Sequence, residues 1–161
     1  MSDGGLTTES TVYVVYIAAA AEKAWEALTS PAFTARYFFG HRVESDWREG
    51  SSWTLSRPDG AVAVRGVVRE SDAPRRLVVS WVVDGPPEME DLPESVVTYE
   101  IEPAGDGVVR LTMTEAHPTP IPARLLEGGR RGWPMILSGL KTLLETGEPL
   151  AVQPPRPPKE G

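Results

Sequence analysis

The sequence predicts an α+β domain in which a curved antiparallel sheet of six to seven strands wraps around one long C-terminal helix. Three observations lead there. Between His41 and Thr114, apolar and polar residues alternate in short runs separated by turn residues, the period of strands with one dry and one wet face. From Trp133 to Glu145, the residues Trp133, Ile136, Leu137, Leu140, Leu143 and Leu144 recur at the 3.6-residue period of a helix. The dry face of such a sheet needs a cover, and this is the one long amphipathic segment able to supply it.

The elements can be justified in order. Met1 to Ser10 is polar and Gly-rich and is expected to be a tail. Thr11-Val-Tyr-Val-Val-Tyr-Ile17 is β-branched and aromatic, and reads as a strand buried on both faces or nearly so. Ala18 to Thr29 turns helical, with Ala21, Trp25 and Leu28 on one side and Glu22, Lys23 and Glu26 on the other. Ser30-Pro31 restarts the chain as N-cap and first helical residue of a second short helix, to about Arg36. Strands follow around Val43, Trp53 to Leu55, Val62 to Val68, Leu77 to Val83, Val97 to Ile101 and Val109 to Met113. Trp47-Arg-Glu-Gly50, Pro58-Asp-Gly60, Asp72-Ala-Pro74 and Ala104-Gly-Asp-Gly107 are the turns between them. A long loop, Asp84 to Glu94, holds three prolines and the carboxylates Glu88, Glu90 and Asp91. The last helix is expected to begin near Trp133, with Gly128-Gly129 as a hinge before it and Gly147 just past its end. Residues 148–161 are Pro-rich and are expected to be a disordered tail. The domain proper is residues 11–147, and its architecture is the helix-grip.

Composition narrows the function. At 161 residues, the chain suits one domain able to bury about 70% of its extended surface without staples. The absence of Cys removes disulfides, thiolate catalysis and Cys-ligated metals together. A net charge of −7 repels phosphate backbones and anionic lipid, so neither nucleic acid nor membrane is an expected partner. No leader-like N-terminus and no apolar run of about 18 residues is present, and a cytoplasmic location is expected.

Several segments together resemble a known family. Ala24-Trp25-Glu-Ala27-Leu28-Thr29-Ser-Pro31, the turn from Asp46 to Gly50, Pro74-Arg-Arg-Leu77-Val-Val-Ser-Trp81, and Gly132-Trp133 followed by Leu137, Leu140 and Leu144 are similar to the motifs of the START-like (SRPBCC) superfamily. Within it, the motifs resemble those of domains of the activator of heat-shock-90 ATPase homologue (AHSA) type. The likeness runs in order over residues 11–147 and departs at Gly50-Ser51, where the second Gly of the turn motif is missing, and in the acidic loop. It implies a helix-grip with a cavity between sheet and helix, used in relatives for lipids, polyketides, hormones or other hydrophobic molecules. Some branches are aromatases or cyclases. The co-chaperone carries a further N-terminal domain, which this sequence lacks, so a chaperone partner is not expected.

The candidate site follows from the inward-facing residues. The inner face of the sheet offers Trp53, Leu55, Val64, Trp81, Tyr99 and Met113, and the last helix offers Trp133, Leu137 and Leu140, as the walls of an apolar pocket of roughly 300–1,000 Å3. Indole N–H and phenol O–H groups in such a wall would orient a ligand with one or two polar atoms. Arg36 or Arg65 could add a charge, and Gly66, Ser138 and Gly139 would leave space. No cofactor or metal is expected. His41 and His117 lack metal-ligand spacing and read as surface or strand-edge residues. Glu88, Glu90 and Asp91 lack the glycine and terminal glutamate of an EF-hand. The expected function is non-enzymatic binding of a small hydrophobic molecule. The alternatives are a cyclase-like enzyme, for which Glu115 and His117 are the available acid–base groups facing inward, and a co-chaperone-like protein-interaction domain. A homodimer is left open.

Overall fold

The computed structural model describes residues 5–84 and 93–151. The elements run β1 (Leu6–Thr7), β2 (Thr11–Ile17), α1 (Ala21–Thr29), α2 (Pro31–Tyr37), β3 (Arg42–Ser45), β4 (Ser52–Ser56), β5 (Val62–Asp72), β6 (Arg76–Val83), β7 (Ser95–Gly105), β8 (Val108–Ala116), β9 (Ile121–Pro122) and α3 (Ala123–Thr146). Seven strands form one antiparallel sheet in the order β2-β8-β7-β6-β5-β4-β3, while β1 and β9 pair separately. From β3 to β8 the chain is a simple meander. Helices α1 and α2 connect the two edge strands, and α3 packs against the sheet beside β2. This is the helix-grip α+β architecture that the two hydrophobic periods predict.

Period 2 sets the sheet. Val97, Tyr99 and Ile101 of β7 lie opposite Glu115, Met113 and Leu111 of β8, and all six are buried. Their outward neighbours are threonines and charged residues that pair at the surface, as where Arg76 meets Glu100 at 2.7 Å. Such exposed pairs add little to stability and serve to keep that face wet. Period 3.6 sets the cover: Leu126, Trp133, Ile136, Leu137, Leu140 and Leu143 are all buried on one side of α3. Gly147, with φ of 85°, ends the helix in the left-handed conformation and donates its N–H to the Leu143 carbonyl.

Four details differ from the sequence reading. Helix α3 begins at Ala123, ten residues before Trp133, and runs without a break through Gly128, Gly129 and Pro134. The buried stripe already includes Leu126, and tertiary packing of that turn overrides the weak helix preference of the glycine pair. Strand β2 is an edge strand with an uncovered outer face, where Val12, Val14 and Tyr16 are more than half exposed. A continuous apolar run cannot by itself tell a doubly buried strand from a one-sided one. Leu6–Thr7, placed in the N-terminal tail by its composition, pairs with Ile121–Pro122 just ahead of α3. The carboxylates Glu88, Glu90 and Asp91 and the Pro-rich end from Val152 onward lie outside the described residues.

The fourth difference concerns the small residues. A Cβ on Gly66 would lie 1.9 Å from the Ser80 carbonyl oxygen and 2.5 Å from the Trp53 indole nitrogen. Gly66 therefore leaves no hollow; it lets the Trp53 indole cross β5 and donate to Ser80 at 2.8 Å. Gly139 abuts Tyr37, with contacts from 3.4 Å, and brings α3 close to α2. Ser138 is exposed on α3. Gly66→Ala is expected to destabilise the domain by about 3 kcal/mol or more, because backbone has to move. Gly128→Ala, at an open helical position, should instead stabilise it by about 0.5–1 kcal/mol. Urea unfolding of the two variants checks both signs.

Candidate functional site

Between the sheet and the helices the interior is divided by one side chain, Trp81 of β6. Its ring lies 5.1 Å from that of Trp53 and 5.3 Å from that of Trp133, centroid to centroid. Phe38, just past α2, stacks on Trp81 at 6.5 Å and meets Trp133 edge-on at 5.7 Å. Tilted and edge-on pairs at these separations are favourable beyond their buried area. The sequence places these four rings on four different elements, and the fold brings them into one cluster.

On one side of the cluster is a narrow cavity that opens to solvent, with room for little more than a water molecule. Its sheet wall is Trp53, Leu55, Leu77, Val79, Trp81 and Tyr99, and its helical wall is Leu28, Thr34, Tyr37 and Phe38, with Val43 and Trp47 between. The space is a narrow slot, so a bulky occupant requires side chains such as Phe38 or Trp81 to shift. Thr34 ties this wall together by accepting the Val43 N–H at 3.0 Å.

On the other side of Trp81 lies a larger recess of about 120 Å3, lined by Val83, Pro93, Ser95, Glu115, His117, Ile121 and Leu125. Its floor is polar although buried. Ser95 Oγ and His117 Nδ1 are 3.0 Å apart, within one hydrogen bond. Trp133 donates its indole N–H to Glu115 Oε2 at 3.3 Å. His117 Nε2 faces Glu115 Oε1 across 3.8 Å, too far for a hydrogen bond, and has no partner among the described residues. Burial holds the Glu115 carboxyl above the usual carboxylate range, against the opposing pull of His117 and the Trp133 N–H. Gly129 makes room for it: a Cβ there would sit 3.0 Å from Glu115 Oε1. The glycine inside α3 thus serves the carboxyl beneath it.

The residues singled out from the sequence divide accordingly. Trp53, Leu55, Trp81 and Tyr99 line the first cavity. Val64, Met113, Trp133 and Leu140 are buried in the core, outside its lining, and Leu137 lies in the core and along an outer groove between α3 and β2. Neither arginine reaches the interior: Arg36 binds the Gly147 carbonyl at 3.0 Å, and Arg65 pairs with Asp84 at 3.6 Å. The tryptophan N–H groups are also largely engaged by the protein, Trp53 with Ser80, Trp47 with Thr29 and Trp133 with Glu115. His117, read as a surface or strand-edge residue, is buried, whereas His41 caps the turn at Phe38 and Phe39. The sequence reading missed the α2 wall of Tyr37 and Phe38. The aromatic run Tyr37-Phe38-Phe39, dense for a short helix end, was the available signal. Ser95 carried none, being one polar residue at the start of a strand.

The fold and the partitioned, aromatic-lined interior define a helix-grip domain of the START-like class. The chain belongs to the family described as Activator of Hsp90 ATPase homolog 1-like protein, whose model matches residues 18–145. Comparison with curated proteins gives no match. Among solved structures, protein MLL2253 from Mesorhizobium loti is similar, with 25% identity and a TM-score of 0.71, over 84% of this chain and 96% of the other. PFC0360w from Plasmodium falciparum, an HSP90 activator, has 20% identity and a TM-score of 0.69, over 84% of this chain and 95% of the other. DynU16, from the dynemicin biosynthetic locus, has 24% identity and a TM-score of 0.72, over 87% of this chain and 48% of the other. No helix among the described residues is long and apolar enough to cross a membrane.

The buried carboxyl makes stability pH-dependent. Glu115 binds its proton more tightly in the folded chain than in the unfolded one, whose value is near 4.5. Its contribution to stability is therefore full below that value and is lost as pH rises through the folded value. Glu115→Gln removes the titration. Compared by urea unfolding between pH 4 and pH 8, the native chain should lose stability relative to this variant as pH rises.

Proposed function

We propose that the domain binds a small, largely apolar molecule in the cavity between the sheet and the helices, without a resident cofactor. The observation that carries this is the slot behind Trp81 and Tyr99. A solid core would close it, and a narrow slot with room for little more than a water molecule persists although twelve residues, six of them aliphatic or threonine, could have packed there. Removal of apolar ligand surface from water, at about 25 cal/mol per Å2, would drive affinity. Movement of Phe38 and Trp81 would admit the guest. The relation to a biosynthetic-locus protein is consistent with a metabolite as ligand; the relation to an HSP90 activator raises a protein partner, for which the interior cavity offers no surface.

A second reading, in which the domain transforms its ligand by acid–base chemistry, is favoured by one observation. Glu115, with its raised pKa, lies beside His117 in a buried recess that adjoins the cavity at Trp81. Exchange of deuterium into the carbon next to the carbonyl of a bound cyclic ketone, lost in Glu115→Gln, is the outcome that would establish it.

The binding reading is tested by titrating hydrophobic dyes and a metabolite extract while following tryptophan fluorescence and retained mass. Saturable binding is expected, weakened about tenfold or more by Leu55→Phe, which fills the slot, and unchanged by Val14→Thr on the outer face. No saturable ligand, or equal binding by Leu55→Phe, would overturn it.

A further inference from the structure

We infer that the recess beyond Trp81 is a recognition site for a neutral hydroxyl group on an aromatic or otherwise flat apolar ligand, received between His117 Nε2 and Glu115 Oε1. The inference rests on the proposed ligand-binding function and names the polar end of the molecule it takes.

The argument begins with an unmet requirement. His117 is 6% exposed and Glu115 9%, and a buried imidazole nitrogen without a partner is a costly arrangement. The ring cannot turn away from the recess without giving up the 3.0 Å contact between Nδ1 and Ser95 Oγ. Glu115 is held on its far side by the Trp133 indole at 3.3 Å. What is left is a gap of 3.8 Å between two hydrogen-bonding atoms. One oxygen at ~2.8 Å from each would close that gap with an angle of roughly 85° at the oxygen. Opening the pair to about 4.6 Å brings the angle to tetrahedral.

The chemistry of the pair selects the group. Where Nε2 and Oε1 carry one proton between them, on either residue, an oxygen placed there accepts one hydrogen bond and donates the other. A hydroxyl does both; an ether or a ketone only accepts; an aliphatic carbon does neither. A carboxylate would add a second negative charge beside Glu115 in a buried site and is disfavoured. Apart from Ser95, the rest of the recess is apolar, with Trp81, Val83, Pro93, Ile121 and Leu125 in its lining. An aromatic alcohol matches both halves.

The test uses 2-naphthol, naphthalene and 2-naphthoate with the full chain at pH 7, by calorimetry and by NMR of the His117 ring nitrogens and the Trp133 indole N–H. 2-Naphthol is expected to bind about five- to tenfold more tightly than naphthalene, with 2-naphthoate weakest. It alone should move the His117 Nε2 and Trp133 Nε1 signals. In His117→Phe and Glu115→Leu the preference for 2-naphthol should vanish while naphthalene still binds. The nitrogen signals of the unmodified chain decide the matter if either variant fails to fold. Equal affinity for 2-naphthol and naphthalene, tighter binding of 2-naphthoate, or 2-naphthol bound with the His117 signals unmoved would each overturn the hydroxyl site while leaving the apolar-ligand reading intact. Absence of binding by all three would overturn both.

Discussion

The structure depends on a single constraint: a seven-stranded sheet with one apolar face has to find a cover, and α3 is the element long enough to supply it. The buried stripe of α3 runs from Leu126 to Leu143, about 25 Å at 1.5 Å per residue, roughly the width of five strands at their usual spacing. The two short helices α1 and α2 close the side that α3 does not reach, contributing Ala24, Ala27, Leu28 and Tyr37 to the same core. Because the sheet curls, the gap between it and its cover is not uniform. Aromatic side chains from both layers meet in the middle of that gap, and the space on either side of them is the two chambers.

The aromatic cluster explains why the interior is divided rather than simply hollow or solid. Rigid rings tile poorly, so four of them meeting at centroid separations of 5.1 to 6.5 Å leave narrow slots that aliphatic side chains would fill. Their polar edges are mostly committed to the protein. Trp53 anchors to Ser80 across Gly66, Trp47 to the last turn of α1 and Trp133 to Glu115. Such anchoring fixes the walls while leaving Trp81, half-buried between the chambers, as the ring most free to shift. The indoles therefore define the shape of the site, and the hydrogen-bonding capacity for a guest falls to Glu115 and His117.

Much of this was legible in the sequence. Alternation marked the strands after α2, a β-branched apolar run marked β2, and the leucine stripe of α3 was evident because packing of a long amphipathic element follows one period. What escaped reading depends on contacts between segments far apart in the chain. Gly66 reads as a space-filler until Trp53 and Ser80 are placed around it. Gly128-Gly129 reads as a hinge because local propensity says so; its helical state comes from the packing of Leu126 on one side and Glu115 below Gly129. Glu115 could be placed inward by its alternation with Met113 and Leu111. Its neighbours Ser95 and Trp133 lie 20 and 18 residues away, and no spacing rule joins them.

The buried carboxyl is the feature that packing alone does not explain. An apolar residue at position 115 would continue the inner row of Val109, Leu111 and Met113 and would avoid the desolvation that holds the Glu115 proton. The fold instead accommodates it, with a glycine in the helix above the carboxyl, an indole turned toward one oxygen, and an imidazole facing the other from just beyond hydrogen-bonding reach. Three separate features are arranged around one group whose presence lowers stability near neutral pH. A solid core needs none of them. A chamber that takes up the polar end of an otherwise apolar guest needs all three, because the same low-polarity surroundings that make the empty pair costly make a correctly placed hydroxyl bind with selectivity.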